Sequence, residues 1–207
     1  MKRNRLILLP LLGLALAALA CNALASRFQP TPPPVAQGPA PTATQRPAGQ
    51  GPLKTEGGLT IGSPRETRVA ISENAPALEQ LAREQYDQEA LAEVGKSFTY
   101  TIALTQSEQV LWLFGWCATS PELVQKNLEH MTVAFSANGT PLDPGQLFIA
   151  DGQSGNLPCR YFAAVLYDWP PGETQLETQI TFTEKVNDGI SDYSPGSQTF
   201  IYNVTAP

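Results

Sequence analysis

The sequence predicts a mainly β protein in which residues 95–207 form an antiparallel β-sandwich, and two observations support this fold class. Apolar and polar residues alternate along several short segments, a pattern typical of half-buried strands. Turn-forming residues separate these segments, so about seven strands fit into the region, the number found in common sandwich domains. The preceding residues are predicted to contain an export signal, a proline-rich tether and a short amphipathic helix.

Residues 1–20 have the three-part layout of a signal peptide. Basic residues lie within the first five positions, the apolar run Leu6–Ala20 follows, and Ala18-Leu19-Ala20 immediately precedes Cys21. This arrangement resembles the lipobox of a bacterial lipoprotein signal, although Ala18 and Leu19 depart from its commonest pattern. The resemblance implies cleavage before Cys21 and acylation of that residue, with palmitate as the expected fatty acid. It therefore implies a lipid-anchored protein at the cell membrane, facing the extracytoplasmic side.

The alternative for the same residues is an uncleaved membrane helix over Leu6–Ala25. This stretch is just long enough to span a bilayer. Pro10, Gly13 and Asn22 interrupt it, however, and the small residues lie where a signal peptidase needs them. Either interpretation places the rest of the chain outside the cytoplasm.

The three cysteines fit an exported lipoprotein. An odd number in such a protein leaves one to be explained, and acylation of Cys21 leaves Cys117 and Cys159 as a pair. Disulfides persist outside the cytoplasm, so we expect one bond between these two residues, placed to join the two sheets. The alternative is a pair of buried free thiols. No metal site is expected, because two cysteines and His130 provide too few ligands.

Residues 21–64 are predicted to be a disordered tether that begins at the lipidated cysteine. Prolines are dense from Pro30 to Pro64, with threonine, glutamine, alanine and glycine between them. Such a composition cannot bury enough apolar surface to offset the entropy of ordering, and it favours an extended chain. The tether is expected to hold the folded part away from the membrane.

Between the tether and the sandwich, residues 65–94 are predicted to contain a short strand and a helix. Leu59–Ile61 and Arg68–Ile71 have the pattern of short strands, whereas Ala75–Tyr86 is amphipathic at helical spacing and is extended to Val94 in the longer interpretation. We expect the helix to pack on its own domain, and a partner-binding helix is the alternative. Its predicted apolar stripe is formed by Leu78, Leu81, Ala82 and Tyr86.

Within residues 95–207 the strands and turns follow in order. A half-buried strand spans Phe98–Leu104, an aromatic strand ends at Cys117, and a capping pattern predicts a helix over Pro121–Glu129. Asn138-Gly139 predicts a hairpin after the strand that starts at His130. The remaining predicted strands are Gln146–Ala150, Tyr161–Trp169, Leu176–Phe182 and Thr199–Thr205, with a loop at Asp151–Asn156 and a long bend from Asn187 to Gly196.

The strand number, the cysteine spacing and the turn Pro170-Pro171-Gly172 make residues 95–207 resemble an immunoglobulin-like or fibronectin-III-like domain. The pattern departs from true immunoglobulin domains because Trp112 and Trp116 precede the first cysteine of the pair and a helix follows it. A likeness of architecture implies a fold and no particular function.

The sequence contains no convincing catalytic constellation. A serine triad would depend on His130, the single histidine, and the carboxylates Asp188 and Asp192 lie in a turn-rich bend. The polar stretches Asn187–Asp192 and Asp151–Asn156 lack the full spacing of a calcium loop. The net charge of -6 speaks against nucleic acid as a partner. We therefore expect no catalytic residue, no metal and no cofactor.

Aromatic residues near the cysteines form the candidate ligand surface. Trp116, Trp169 and Tyr161 are candidates for a platform that binds a glycan or peptide, and the alternative is that they fill the core, as expected for Trp112 and Phe114. The resulting hypothesis is a membrane-anchored extracytoplasmic lipoprotein that acts as a binding or structural module for a protein or glycan at the cell envelope. The alternatives are an accessory or solute-binding lipoprotein of a transporter and an envelope glycan-acting enzyme.

Overall fold

The structure, a computed structural model, describes residues 51–86 and 93–207, and most of them lie in β-strands. In chain order the strands are β1 (Leu53–Lys54), β2 (Thr60–Ile61), β3 (Ser97–Ala103), β4 (Val110–Cys117), β5 (Met131–Ala137), β6 (Thr140–Pro141), β7 (Phe148–Ser154), β8 (Leu157–Tyr167), β9 (Gly172–Phe182), β10 (Val186–Asn187), β11 (Asp192–Tyr193) and β12 (Gly196–Ala206). The helices are α1 (Pro64–Ser72), α2 (Leu78–Leu81) and α3 (Pro121–Leu128), with 3-10 turns at Arg83–Gln85 and Pro144–Gln146.

Ten of the strands form two five-stranded sheets that pack face to face, and β10 and β11 pair with each other, so the predicted mainly β sandwich is confirmed. The first sheet has the order β1-β2-β8-β4, and β7 also pairs with β8; the second has the order β3-β12-β9-β5-β6. All pairs are antiparallel except β3 with β12. The neighbours β4-β8-β7 facing β5-β9-β12 reproduce the strand arrangement of an immunoglobulin-like domain.

The core lies between the sheets and is centred on Trp112. This side chain is fully buried, and its ring meets Phe135 of the second sheet edge-on at 4.8 Å between centroids. Its Nε1 donates to Thr178 Oγ1 at 2.9 Å, so the polar atom of the indole is satisfied across the sheets. Alternation along β3 places Tyr100 and Ile102 in the same core, as predicted.

Helix α1 replaces a predicted strand and shortens the predicted tether. Arg68–Ile71 lies inside α1. Ser63 is the N-cap of this helix and forms a capping box with Glu66, so the helix begins at Pro64. The β-branched residues of Arg68–Ile71 favour a strand, but the capping box stabilises a helix over the same positions. Because β1, β2 and the cap all precede residue 65, the boundary of the folded part at residue 64 was wrong.

The predicted helix Ala75–Tyr86 is shorter than expected. Residues Leu78–Leu81 are helical, a 3-10 turn follows at Arg83–Gln85, and the extension through residues 87–92 lies outside the described part. Leu78 and Ala82 are buried as predicted, but Leu81 is 43% exposed. Residues of this segment contact β4 of one sheet and β3 of the other. Its buried side chains therefore do not lie on a single face of a helix.

The turns of the sandwich follow their predicted chemistry in most places. Asn138 and Gly139 both have positive φ (48° and 76°), as the hairpin between β5 and β6 requires. Helix α3 begins at Pro121, and the Ser120 hydroxyl accepts from the backbone of Leu123. The predicted loop Asp151–Asn156 was wrong: β7 continues through Ser154 because its polar residues occupy an edge strand paired with β8.

The Cys117–Cys159 disulfide is confirmed, but it does not join the two sheets. The residues are direct partners in the β4–β8 register, with their Cα atoms 4.0 Å apart. The neighbouring pair Ala118–Pro158 is hydrogen-bonded, so the cysteines occupy the closer, non-hydrogen-bonded kind of position. Side chains alternate along β4, so Cys117 projects to the face opposite the core residue Trp116. The prediction that the bond crosses the sandwich was wrong.

The predicted signal peptide, the lipidated Cys21 and most of the tether lie outside the described residues. Within residues 51–86 and 93–207, no helix has the length and apolar character needed to cross a membrane.

Removal of the disulfide should lower stability without separating the sheets. We expect the double variant Cys117→Ser with Cys159→Ser to lose about 3 to 4 kcal/mol in free energy of unfolding, because the bond no longer restricts the unfolded chain. Urea denaturation of both proteins measures this loss. The near-ultraviolet circular dichroism of the folded variant should stay native-like, since Trp112 holds the sheets without a covalent link. Loss of that signal in folded protein would contradict this account.

Candidate functional site

The two tryptophans of the predicted platform lie in the core. Trp116 is 6% exposed and packs against Phe182 and Tyr193, with ring centroids 5.6 Å and 5.0 Å away. Trp169 is 2% exposed, and its Nε1 donates to the Glu108 carbonyl at 2.9 Å. Neither presents a ring to a ligand, so the platform prediction is wrong for both. Their positions near strand ends suggested exposure, but the bend between β9 and β12 and the loop before β4 cover them.

Tyr161 lies on the outer face of the first sheet and is half-buried. Its ring lies over Gly115 of β4 and Gly152 of β7: a Cβ atom there would stand 2.7 Å and 2.9 Å from ring carbons. The hydroxyl donates to the Gln153 carbonyl at 3.1 Å. The two glycines thus make room for a flat aromatic ring, and the role of Tyr161 in ligand binding stays a prediction.

The residues considered for catalysis take part in local structure. His130 precedes β5, and its Nδ1 lies 3.6 Å from the exposed Glu184 carboxylate. Asp188 Oδ1 accepts from the backbone of Ile190 and Ser191, and its Oδ2 accepts from the Tyr193 hydroxyl. The Asp188 carboxylate is therefore committed to the turn between β10 and β11. The described residues contain no cluster of three side chains suited to hold a metal ion.

A partly open cavity of about 200 Å³ lies between the two sheets. We call it the Glu79 cavity, after the one charged side chain that lines it. The lining residues come from the segment around α2, from β4 and from the second sheet: Glu79, Tyr86, Leu113, Phe114, Gly115, Thr178, Phe200 and Tyr202. Concave sites with mostly apolar walls and few polar groups are the usual form of a ligand site.

Among residues 51–86 and 93–207, neither sheet has a further strand on the side of the sandwich where the cavity lies. β4 pairs with β8 on one edge, and among the described residues its other edge makes a single bridge, Ala77 with Leu111. On the opposite sheet, Gln85 takes the place of a strand: its side chain donates to Thr101 O and accepts from Thr101 N. The segment from Ala77 to Tyr86 therefore closes this side only in part.

Glu79 has the electrostatics of a carboxyl group held away from water. Burial raises its pKa to about 7. The ion pairs among the described residues involve other carboxylates, so no basic side chain there offsets the Glu79 charge. Burial, and next the Glu79 charge, also raises the pKa of Tyr202 and of Tyr161.

Sequence reasoning missed Glu79 because this residue lies outside the predicted apolar stripe of the helix and was therefore expected to face solvent. The residue is only partly exposed, since α2 ends after one turn and the chain then crosses the gap between the sheets. No local pattern distinguishes Glu79 from the exposed Glu84. Only the position of the segment against both sheets brings its carboxylate to the aromatic residues of β12.

No protein-family model matches the chain, and no curated protein matches it significantly. Among solved structures, it is similar to a chain described as PbICP-C in complex with falcipain-2, with 13% identity, a TM-score of 0.32, and coverage of 56% of this chain and 96% of that chain. It is also similar to the cysteine protease inhibitor EhICP2 from Entamoeba histolytica, with 12% identity, a TM-score of 0.28, and coverage of 52% and 93%.

The titin M3 domain is a further similar structure, with 15% identity, a TM-score of 0.27, and coverage of 55% of this chain and 95% of that domain. At TM-scores this low, these likenesses carry no argument about function. The immunoglobulin-like arrangement described above depends on the strand order of the chain itself.

The raised pKa of Glu79 makes stability depend on pH. The pKa of Glu79 is about 7 in the folded state and 4.5 in the unfolded state. At pH values between these two, the folded state binds more protons at Glu79 than the unfolded state, so the free energy of unfolding should fall as pH rises. Glu79→Gln removes this dependence and should make the variant more stable than the parent at pH 8, by about 3 kcal/mol at most. Urea midpoints at pH 5 and pH 8 measure the difference.

The matched control for that experiment is Glu84→Gln, because Glu84 is exposed in the same segment. It should follow the parent at both pH values. A Glu79→Gln variant that also follows the parent would show that the carboxyl group is hydrated in the folded state.

Proposed function

We propose that the chain is a membrane-anchored extracytoplasmic lipoprotein whose sandwich acts as a binding module at the cell envelope. The observation that carries the binding function is the Glu79 cavity, a concave site with one carboxylate and aromatic walls. The sequence Ala18-Leu19-Ala20-Cys21 supports the anchor. The Cys117–Cys159 disulfide supports export, since such bonds persist in oxidising compartments.

In this proposal, the lipid anchor and the tether determine where the binding module can act. An acylated Cys21 holds the chain at the membrane, and the proline-rich residues that follow extend at about 3 Å per residue where they adopt the polyproline conformation. β1 pairs with β2, and β2 pairs with β8 of the first sheet, so the residues just after the proline-rich stretch belong to the sandwich itself. A protein or glycan of the envelope is the partner that such a module reaches.

The second candidate function is an accessory or solute-binding lipoprotein of a transporter. The size of the Glu79 cavity favours it: about 200 Å³ suits a small solute or a single chemical group rather than a folded partner. Both functions use the same anchor and the same cavity, and they differ in whether the ligand is free or part of a larger molecule.

Substitution of the proposed lipidation site tests the anchor. We expect Cys21→Ala to leave the precursor uncut or to release the protein from membranes, because the acyl chains are attached to that sulfur. Membrane fractionation with mass spectrometry of the N-terminus measures this. The matched control, Cys159→Ser, removes a different cysteine and should stay membrane-bound. A Cys21→Ala protein that is mature, cut and still membrane-bound contradicts the proposal.

A further inference from the structure

The walls of the Glu79 cavity combine a single carboxylate with several aromatic rings. Phe114 comes from β4, Phe200 and Tyr202 come from β12, and Tyr86 follows the 3-10 turn. The faces of aromatic rings attract cations, and clusters of such rings bind quaternary ammonium groups. We propose that this cavity binds a methylated ammonium group, with Glu79 as its counter-ion. The inference rests on the proposed binding function and names its ligand class.

The charge of the cavity selects a cation. Moving an ionised carboxylate away from water is costly unless an opposite charge accompanies it. Burial and the Glu79 charge both raise the pKa of the tyrosines Tyr86, Tyr161 and Tyr202, and a tyrosine side chain supplies no positive charge. A bound cation would provide the partner that the described residues lack.

The hydrogen bonds of the cavity favour a methylated ammonium group over a primary ammonium or a guanidinium. The hydroxyls of Tyr86 and Tyr202 bond to each other at 3.0 Å, and Thr178 Oγ1 accepts from the Trp112 indole. Apart from the Glu79 carboxylate, the side-chain oxygens that line the cavity are these three hydroxyls, and each is already engaged in a hydrogen bond with a protein partner. Buried N–H groups without acceptors are costly, whereas methyl groups on nitrogen pack against aromatic rings without this cost.

The size of the cavity agrees with such a group. A cavity of about 150 Å³ holds benzene in an engineered protein core. The 200 Å³ of the Glu79 cavity is somewhat larger and is partly open, so a trimethylammonium group fits while the rest of its molecule extends outward. A large planar ring system or a folded partner does not fit between the sheets.

Calorimetric titration of the full chain with choline tests this site. The protein is held in an uncharged maltoside detergent, because a detergent with a quaternary ammonium head would compete. The matched ligand is 3,3-dimethyl-1-butanol, which has the shape of choline and no charge. We expect choline to bind about tenfold or more tightly than this alcohol, since the cation–π attraction and the Glu79 charge act only on the cation.

Two pairs of variants assign the binding to the cavity. Glu79→Gln should reduce choline affinity about tenfold or more, whereas Glu84→Gln should leave it unchanged. Tyr86→Leu should weaken binding because it removes a ring, and Tyr86→Phe should largely retain it because the ring remains. Each variant is compared with the parent by thermal unfolding, so that loss of the fold is recognised separately.

The pH dependence of the unsubstituted protein provides a test that needs no variant. Choline should bind the ionised form of Glu79, so its affinity should rise from pH 5.5 to pH 8 and binding below pH 7 should release protons. Titrations in buffers of different ionisation enthalpy measure the protons released. Equal affinity across this range, equal affinity for the uncharged alcohol, or no measurable binding of choline overturns the inference.

The same chemistry occurs in a free solute and in the head group of a choline lipid, and glycerophosphocholine distinguishes them. Binding of choline alone assigns the site to a free solute, and binding of both compounds assigns it to the head group. If none of these ligands binds, the methylated-ammonium inference is wrong, but the result of the Cys21→Ala fractionation is unaffected. The ligand inference and the proposed lipid anchor are therefore tested separately.

Discussion

The contact between Trp112 and the second sheet is the interaction on which the sandwich depends. The disulfide joins β4 to its neighbour β8 and adds no link between the sheets. Their association therefore depends on apolar burial around Trp112 and on its bond to Thr178. Because a buried indole N–H without an acceptor would be costly, this one hydrogen bond lets the largest core side chain occupy the centre of the interface.

The open side of the sandwich explains why a cavity forms there. A short segment with two brief helical turns covers the gap between β4 and β3, and Gln85 pairs with the exposed backbone of Thr101. Such a cover protects an edge strand from pairing with other chains. It cannot fill the interior as a further strand would, so Glu79 and the rings of β12 are left around an unfilled space. The candidate site is thus a consequence of incomplete closure.

Much of the fold could be predicted because strand alternation, helix caps and turn residues are local properties. The alternation at Tyr100 and Ile102, the helix start at Pro121 and the turn at Asn138-Gly139 each depend on a few adjacent positions, and each is confirmed, although Ser120 caps the helix where the capping-box spacing predicted Thr119. The strand at Arg68–Ile71 was wrong because a capping box outside the segment decided its conformation. The platform failed for Trp116 and Trp169 because nothing local shows whether a neighbouring loop covers an aromatic ring.

The sequence by itself determined the class of fold, the positions of most strands and the pairing of Cys117 with Cys159, because periodicity, turn chemistry and cysteine number are written along the chain. Tertiary structure alone decided that this bond lies within one sheet and that Glu79 faces a cavity. The physical reason is that strand order and register bring together residues distant in sequence. Those neighbours determine the electrostatic potential at a side chain and its access to water. No pattern over a few adjacent positions specifies either property.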